Sequence, residues 1–167
     1  FAAAKGQRLD EERAPQSGTP FGMARRVVHS PISRLPATAP PWGTLAAIDL
    51  ASGKLRWEVP LGYMTDPEKE PRARQWGSIN LGGAICTASG LTFVAGSMDG
   101  FLRAFDTETG QELWSAELPA GGQATPMSYQ VGQRQFVCIS AGGHARLRSK
   151  LGDYVVAFAL EQAGGDK

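Results

Sequence analysis

Few side chains in this sequence are equipped for chemistry. The chain has two histidines. His144 follows a glycine pair that includes Gly143 in "AGGHARLRSK", and Arg146, Arg148 and Lys150 trail it. An imidazole among such positive charges suits hydrogen bonding and attraction to a carboxylate-bearing molecule. A solvated basic loop accounts for the same residues. His29 lies in a proline-rich stretch and is assigned no role. Cys86 in "GAICTA" and Cys138 in "QFVCISA" sit in strand-like apolar runs and read as buried free thiols. Sequence alone does not establish disulfide geometry. Asp49 and Asp106 belong to a repeated pattern and Asp153 caps a strand, so all three read as structural.

The elements that must position these residues are short strands. "LAAIDLASGKLRW" (45–57) and "LRAFDTETGQELW" (102–114) share Ala-x-Asp-x-x-x-Gly-x-x-x-Trp, with Ala47, Asp49, Gly53 and Trp57 recurring as Ala104, Asp106, Gly110 and Trp114. Identities at equal spacing mark an internal repeat. Around the second copy, "GGAICTAS", "GLTFVAGS", "GFLRAFDT" and "QELWSAEL" are strand-length runs separated by "SGL", "MDG" and "ETGQ". Short runs joined by tight turns predict an antiparallel meander. The first copy supplies one hairpin. A third unit, "ATPMSYQV", "RQFVCISA" and "YVVAFAL", lacks its fourth strand. Residues 63–77 form a charged connection, either a solvated loop or a substrate-side loop. Residues 1–40 are irregular and proline-rich, and "HSPISRLPATAPP" suits neither a helix nor a central strand.

The pattern has a physical logic. The Asp carboxylate can accept backbone N–H groups and close the turn. The Gly occupies a turn position that tolerates positive φ. The Trp presents a flat face for docking one sheet on the next, and the small Ala leaves room for it. A lone four-stranded sheet cannot bury both faces, whereas radially stacked sheets can. The expectation is an all-β partial β-propeller of about two and a half four-stranded blades at about 41–62, 78–119 and 123–160, with a tail at 161–167.

Bulk properties exclude some classes. The net charge is +1, which leaves no basic footprint for nucleic acid. No apolar run approaches the roughly 20 residues of a membrane-spanning helix. The chain starts at Phe1 rather than Met and reads as a processed product or a fragment.

The repeat resembles the tryptophan docking motif of the quinoprotein dehydrogenases, eight-bladed propellers that bind pyrroloquinoline quinone (PQQ). "PPWGTLAAIDLASGKLRW", "NLGG", "LPAGGQATPMSY" and "SAGGH…KLGDYVVAFAL" look like the C-terminal part of the membrane-bound subgroup containing glucose and quinate dehydrogenases. The resemblance spans roughly residues 18–160. It implies oxidation of a sugar or polyol in the periplasm, electron transfer to ubiquinone, PQQ and calcium as cofactors, and inner-membrane association through a segment absent here. It also implies remaining blades upstream as partners, with the catalytic Asp and the calcium ligands among them. No catalytic residue and no metal ligand is assigned within this chain. Asn80, Leu81 and Gly82 are the candidates for approaching the cofactor ring, Leu81 standing where related enzymes can carry a Trp. Gly82 and Gly83 read equally well as room for a tight inner strand. Gly143 and His144 form the second candidate pair. Ala37 stands where many members have a structural Cys.

A non-enzymatic periplasmic scaffold or binding module with the same docking repeat is the alternative. "GGQATPM" and "AGGH" favour the enzyme, because a scaffold needs only the docking motif. The isolated chain is expected to be inactive and prone to associate through open sheet edges.

Overall fold

The computed structural model describes residues 11–26 and 28–160, the side chain of Arg146 excepted. The chain forms two units, residues 1–39 and 40–167. In the first, β1 (Glu11–Pro15) and β2 (Gly22–Arg26) form an antiparallel hairpin. This stretch, read above as irregular, carries no apolar alternation. Its pairing rests on the backbone ladder and on Arg25 bonded across to Glu12. The proline-rich stretch beyond it has one isolated bridge, His29 to Pro36. Residues 1–10 and the tail at 161–167 lie outside the described residues.

The second unit consists of antiparallel sheets in chain order. β3 (Thr44–Ile48) and β4 (Leu55–Pro60) form the first. β5 (Ala84–Cys86), β6 (Leu91–Val94), β7 (Phe101–Asp106) and β8 (Glu112–Glu117) form the second, paired as a meander. β9 (Met127–Val131), β10 (Arg134–Ala141) and β11 (Tyr154–Phe158) form the third, with β10 central. The charged connection holds a single helical turn, α1 (Ala73–Trp76). Among the described residues no helix is long and apolar enough to cross a membrane.

Register explains the repeated pattern. Ala47 pairs with Trp57 and Ala104 with Trp114, each followed by a bulge. The small residue therefore sits directly opposite the indole, where a larger one would crowd it. Asp106 Oδ1 accepts from Glu108 N at 2.9 Å, Thr109 N at 2.8 Å and Thr109 Oγ1 at 2.9 Å. Asp49 Oδ1 accepts from Ser52 N and Ser52 Oγ, both at 2.7 Å. Those side-chain and backbone donors hold both carboxyls below the usual aspartate range. Gly53 and Gly110 have φ of 67° and 74°.

The joint between the first two sheets is built from the same pattern. The Trp57 ring lies against the Gly110 turn, where a Cβ would come 2.6 Å from Trp57 Cε3. Trp57 Nε1 donates to the carbonyl of Thr107 at 3.0 Å. Arg56 pairs with Glu108 across the same joint. Leu61, Val94 and Phe105 form the apolar filling there, with Leu45 and Val59 against them. Ala95, Leu102, Leu118, Val137 and Ile139 fill the space between the second and third sheets. Leu102 is fully buried. β7 is thus covered on both faces, which is why Leu102, Ala104 and Phe105 are all buried and its apolar residues do not alternate strictly.

Cys138 is buried and Cys86 exposed, and both are free. The sequence reading placed both inside. Cys86 differs because β5 is the edge strand of its sheet.

Candidate functional site

The connections at one end of the sheets hold every candidate residue. At the close of β6 the chain turns through Gly96, with φ 93°. The Asn80–Gly82 segment lies across that turn. A Cβ on Gly96 would come 2.4 Å from Gly82 N, and one on Gly82 would come 2.9 Å from Ala95 O. Both glycines are therefore required by the close backbone crossing. Asn80 Nδ2 donates to Ser78 O at 3.3 Å, bracing its own loop. Ser78 is fully buried, and its Oγ accepts from Met98 N at 2.8 Å. Leu81 is 56% exposed, so its side chain presents an apolar surface to the outside.

The second candidate pair sits on the β10–β11 connection. Gly143 has φ 69°, and a Cβ there would lie 2.2 Å from Lys150 O. His144 caps a one-turn 3-10 helix (Ala145–Leu147). Its N donates to Ser149 Oγ at 2.8 Å, and its Nδ1 accepts from Leu147 N at 3.3 Å. An accepting Nδ1 leaves Nε2 as the N–H donor of the neutral ring. Arg148 adopts a left-handed conformation, φ 57°, and both Arg148 and Lys150 are exposed. The Arg146 side chain lies outside the described residues.

The segment Leu118–Pro126 joins the two sets. Gly143 N donates to Gly121 O at 2.8 Å, and Gly121 N donates to Lys150 O at 2.9 Å. At the other end of the segment, Thr125 Oγ1 lies 2.3 Å from the position of a Cβ on Gly83. The Asn80–Gly83 and Gly143–His144 segments thus brace one shared strip. Gln123 lies at the middle of that strip. Both ends of its amide are buried, and neither Nε2 nor Oε1 has a hydrogen-bond partner among the described residues. The sequence reading used "GGQATPM" only as a signature and did not single out Gln123. A polar residue between a Gly-Gly pair and a strand was the available signal.

A second polar cluster went unread. Asp99, in the β6–β7 turn, has a fully buried side chain beside Arg103, whose side chain is 5% exposed. Arg103 Nη2 reaches Asp99 Oδ2 at 2.6 Å, and Tyr63 N donates to the same oxygen at 3.0 Å. Ser97 Oγ donates to Asp99 Oδ1 at 2.6 Å. The cluster pins the start of the charged connection, Gly62 and Tyr63, to the next sheet. A cleft of about 350 Å³ opens beside it, lined by Tyr63, Met64, Asp66, Met98 and Glu117. Burial, with Asp99 nearby, pushes the Tyr63 hydroxyl above its ordinary value. Among the described residues no group of His, Cys, Asp and Glu is arranged to hold a metal ion.

A family model described as "PQQ: Glucose/ethanol/alcohol dehydrogenase, beta-propeller domain" matches residues 2–137. A quinoprotein glucose dehydrogenase of Escherichia coli (strain K12) is 42% identical over 161 residues, covering 94% of this chain and 20% of its own length. A quinate/shikimate dehydrogenase (quinone) of Acinetobacter baylyi is 41% identical over 154 residues, covering 89% of this chain and 19% of its own length. The crystal structure of a quinohemoprotein alcohol dehydrogenase from Comamonas testosteroni superposes with a TM-score of 0.54 at 24% identity, over 77% of this chain and 18% of that one. That last likeness concerns the fold. This chain spans about a fifth of the length of the curated relatives it matches.

Proposed function

Because the chain belongs to the β-propeller family of PQQ-dependent glucose, ethanol and alcohol dehydrogenases, we propose that it is the C-terminal part of an enzyme that oxidises a glucose- or quinate-like sugar or polyol and passes the electrons to ubiquinone. The observation that carries this reading is the convergence of two glycine-backed strand ends on one strip, Leu118–Pro126. Gly82 and Gly143 let backbone pack against backbone at both strand ends, which brings the exposed Leu81 and the His144 loop to the same strip. The exposed Arg148 and Lys150 on the same connection add positive charge that a ligand rich in carboxylates suits. The residues present therefore fit PQQ.

PQQ, when bound, supplies the oxidising quinone. The chain's own residues would shape its surroundings. Asn80, Leu81 and Gly82 offer an apolar edge over a backbone crossing. Gly143 and His144 offer a backbone approach and an Nε2–H donor held in direction by the cap at Nδ1. Arg148 and Lys150 add positive charge that attracts the cofactor's carboxylates or an acidic substrate. In this reading the catalytic Asp, the calcium ligands, the remaining blades and a segment that ties the periplasmic protein to the inner membrane belong to upstream parts of the same protein.

One feature supports the upstream blades. The Gly110 turn is covered by Trp57, whereas the equivalent Gly53 turn has nothing within 4 Å of a Cβ position among the described residues. A further sheet carrying a ring would cover it.

The test is the size and N-terminal sequence of the native polypeptide, followed by PQQ-dependent dye reduction with glucose and with quinate. A species several times larger than this chain, active only with PQQ, is expected. The pure monomeric chain alone should show no PQQ-dependent activity. A native species beginning near Phe1, or a full-length protein inert with PQQ and both substrates, would overturn the reading.

A further inference from the structure

The cleft of about 350 Å³ between the charged connection and the second sheet belongs to none of the candidate cofactor segments. Its size is that of a small-ligand pocket. Its walls are fixed. Arg103 bonds Asp99 and lies 5.8 Å from the Tyr63 ring centre and 5.3 Å from that of Phe101. Met98 N donates to Ser78 Oγ at 2.8 Å and Asn80 Nδ2 to Ser78 O at 3.3 Å, so one buried serine ties a cleft wall to a candidate cofactor segment. Ala84 pairs with Val94 and Phe101 with Glu117. The start of β5, the β6–β7 turn and the close of β8 are therefore at the same end of the sheet.

The lining holds unspent hydrogen-bonding capacity. The Tyr63 hydroxyl, the Thr65 hydroxyl and the exposed Glu117 carboxylate have no hydrogen bond or ion pair among the described residues. Met64 and Met98 add adaptable apolar surface. Asp99 spends its charge on Arg103, and Asp66 pairs with Lys69 at 3.4 Å. Arg74 reaches the Tyr63 ring at 5.8 Å, yet no basic side chain among the described residues lines the cleft. Hydroxyl groups of a ligand can donate to Glu117 and accept from Tyr63 and Thr65. A carboxylate ligand would meet Glu117 with no compensating cation on the lining.

We propose that this cleft is a binding site for a neutral polyhydroxylated molecule, a sugar or polyol, held by Glu117, Thr65 and Tyr63, and that it disfavours acids such as quinate. This rests on the reading that the full-length protein oxidises a sugar or polyol, and it narrows that substrate class to the uncharged members. The site holds its ligand at the cofactor end of the sheet, and no bond is made or broken there.

The experiment uses the full-length dehydrogenase that carries this chain, with its methionine methyl groups isotope-labelled for NMR. The Met64 and Met98 resonances are assigned from Met64→Leu and Met98→Leu. Adding D-glucose should move both with one midpoint, and adding quinate should leave them in place. Glu117→Ala should raise the glucose midpoint about fivefold, the scale of one hydrogen bond at an exposed site. Thr65→Val should raise it by a similar factor without altering charge. Glu68→Ala is the control: it removes an equal charge from the charged connection outside the lining and should leave the midpoint within twofold. PQQ-dependent dye reduction with glucose and with quinate is measured in parallel. Resonances unmoved by glucose, or a midpoint that Glu117→Ala and Thr65→Val both leave within twofold, overturn the site alone. So does equal movement with quinate, or movement with choline in place of glucose, which marks a cation site. A full-length protein inert with PQQ and both substrates overturns the functional reading itself.

Discussion

Replacing Gly110 with Ala tests whether the sheets are held together by the Trp57 joint. Two costs separate cleanly. An Ala at φ 74° pays roughly 1 kcal/mol for the left-handed backbone. Its Cβ would also stand 2.6 Å from Trp57 Cε3 and 2.7 Å from Cδ2, about 1 Å inside ordinary carbon contact. The ring must therefore move away. That forfeits the Nε1–H bond to Thr107 O, worth about 1 kcal/mol net, and uncovers part of a half-buried indole, about 1–2 kcal/mol more. Gly110→Ala should thus cost about 3–4 kcal/mol in all. Gly53→Ala supplies the internal control. Gly53 has φ 67° in the same kind of turn, with nothing among the described residues within 4 Å of its Cβ position. It should cost only the backbone component, about 1 kcal/mol. The assay is urea unfolding of the dilute chain, followed by tryptophan fluorescence, with both variants side by side. A difference between them below about 0.5 kcal/mol would refute the docking account, since ring displacement alone is expected to exceed that.

Three further expectations follow from the polar contacts and the thiols. Asp49 and Asp106 have carboxyls held below their ordinary value by Ser52 and Thr109. Their contribution to stability is therefore present above the unfolded carboxylate range and lost as pH falls through the folded values. Melting temperatures of wild type and Asp106→Asn should converge in acid and diverge toward neutrality; a constant gap across that range would count against the Asx turn. Asp99→Ala removes the buried partner of Arg103, whose side chain is 5% exposed, and leaves it Glu112 at 3.4 Å, so it should cost about 2–3 kcal/mol in urea titrations. Parity with wild type there would show that the pair is dispensable. A thiol reagent should label Cys86 in the native chain and reach buried Cys138 only in denaturant. Equal labelling rates without denaturant would contradict the packing of β10.

The sequence pattern carried the sheets because one motif did several jobs at once. Asp106, Gly110 and Trp114 mark a strand end, a positive-φ turn and the following strand, and their recurrence at Asp49, Gly53 and Trp57 set the frame. What lay beyond it depends on partners rather than on patterns. The β1–β2 hairpin pairs through Arg and Glu side chains and the backbone, so no alternation announced it. Cys86 looks apolar in context, yet its exposure depends on β5 being an edge strand. That a Trp meets the turn of the next repeat, not its own, is visible only once Trp57 is seen against Gly110. Asp99 in the β6–β7 turn and Arg103 in β7 are four positions apart, and Tyr63 and the charged connection close over them. Of the candidate site, the glycines of "NLGG" and "AGGH" were readable from resemblance. The strip that unites them, and Gln123 at its centre, required the fold.

The Trp57 joint also has a direction. A ring on one sheet enters a turn on the following sheet, and nothing in the contact is reciprocal. In the language of symmetry it is heterologous, so two such surfaces cannot satisfy each other across a two-fold axis. A row of sheets joined in this way has a sense: the first sheet shows a turn at Gly53 that no described residue covers, while the Trp114 ring of the second sheet, 39% exposed, already faces the third and rests edge-on against Phe158. Contacts of this kind either curve back to meet their own beginning or propagate without limit. The number of units is then a property of curvature and covalent length, not of any single joint. A mutation that altered the angle at one joint would be felt as a failure of closure far away.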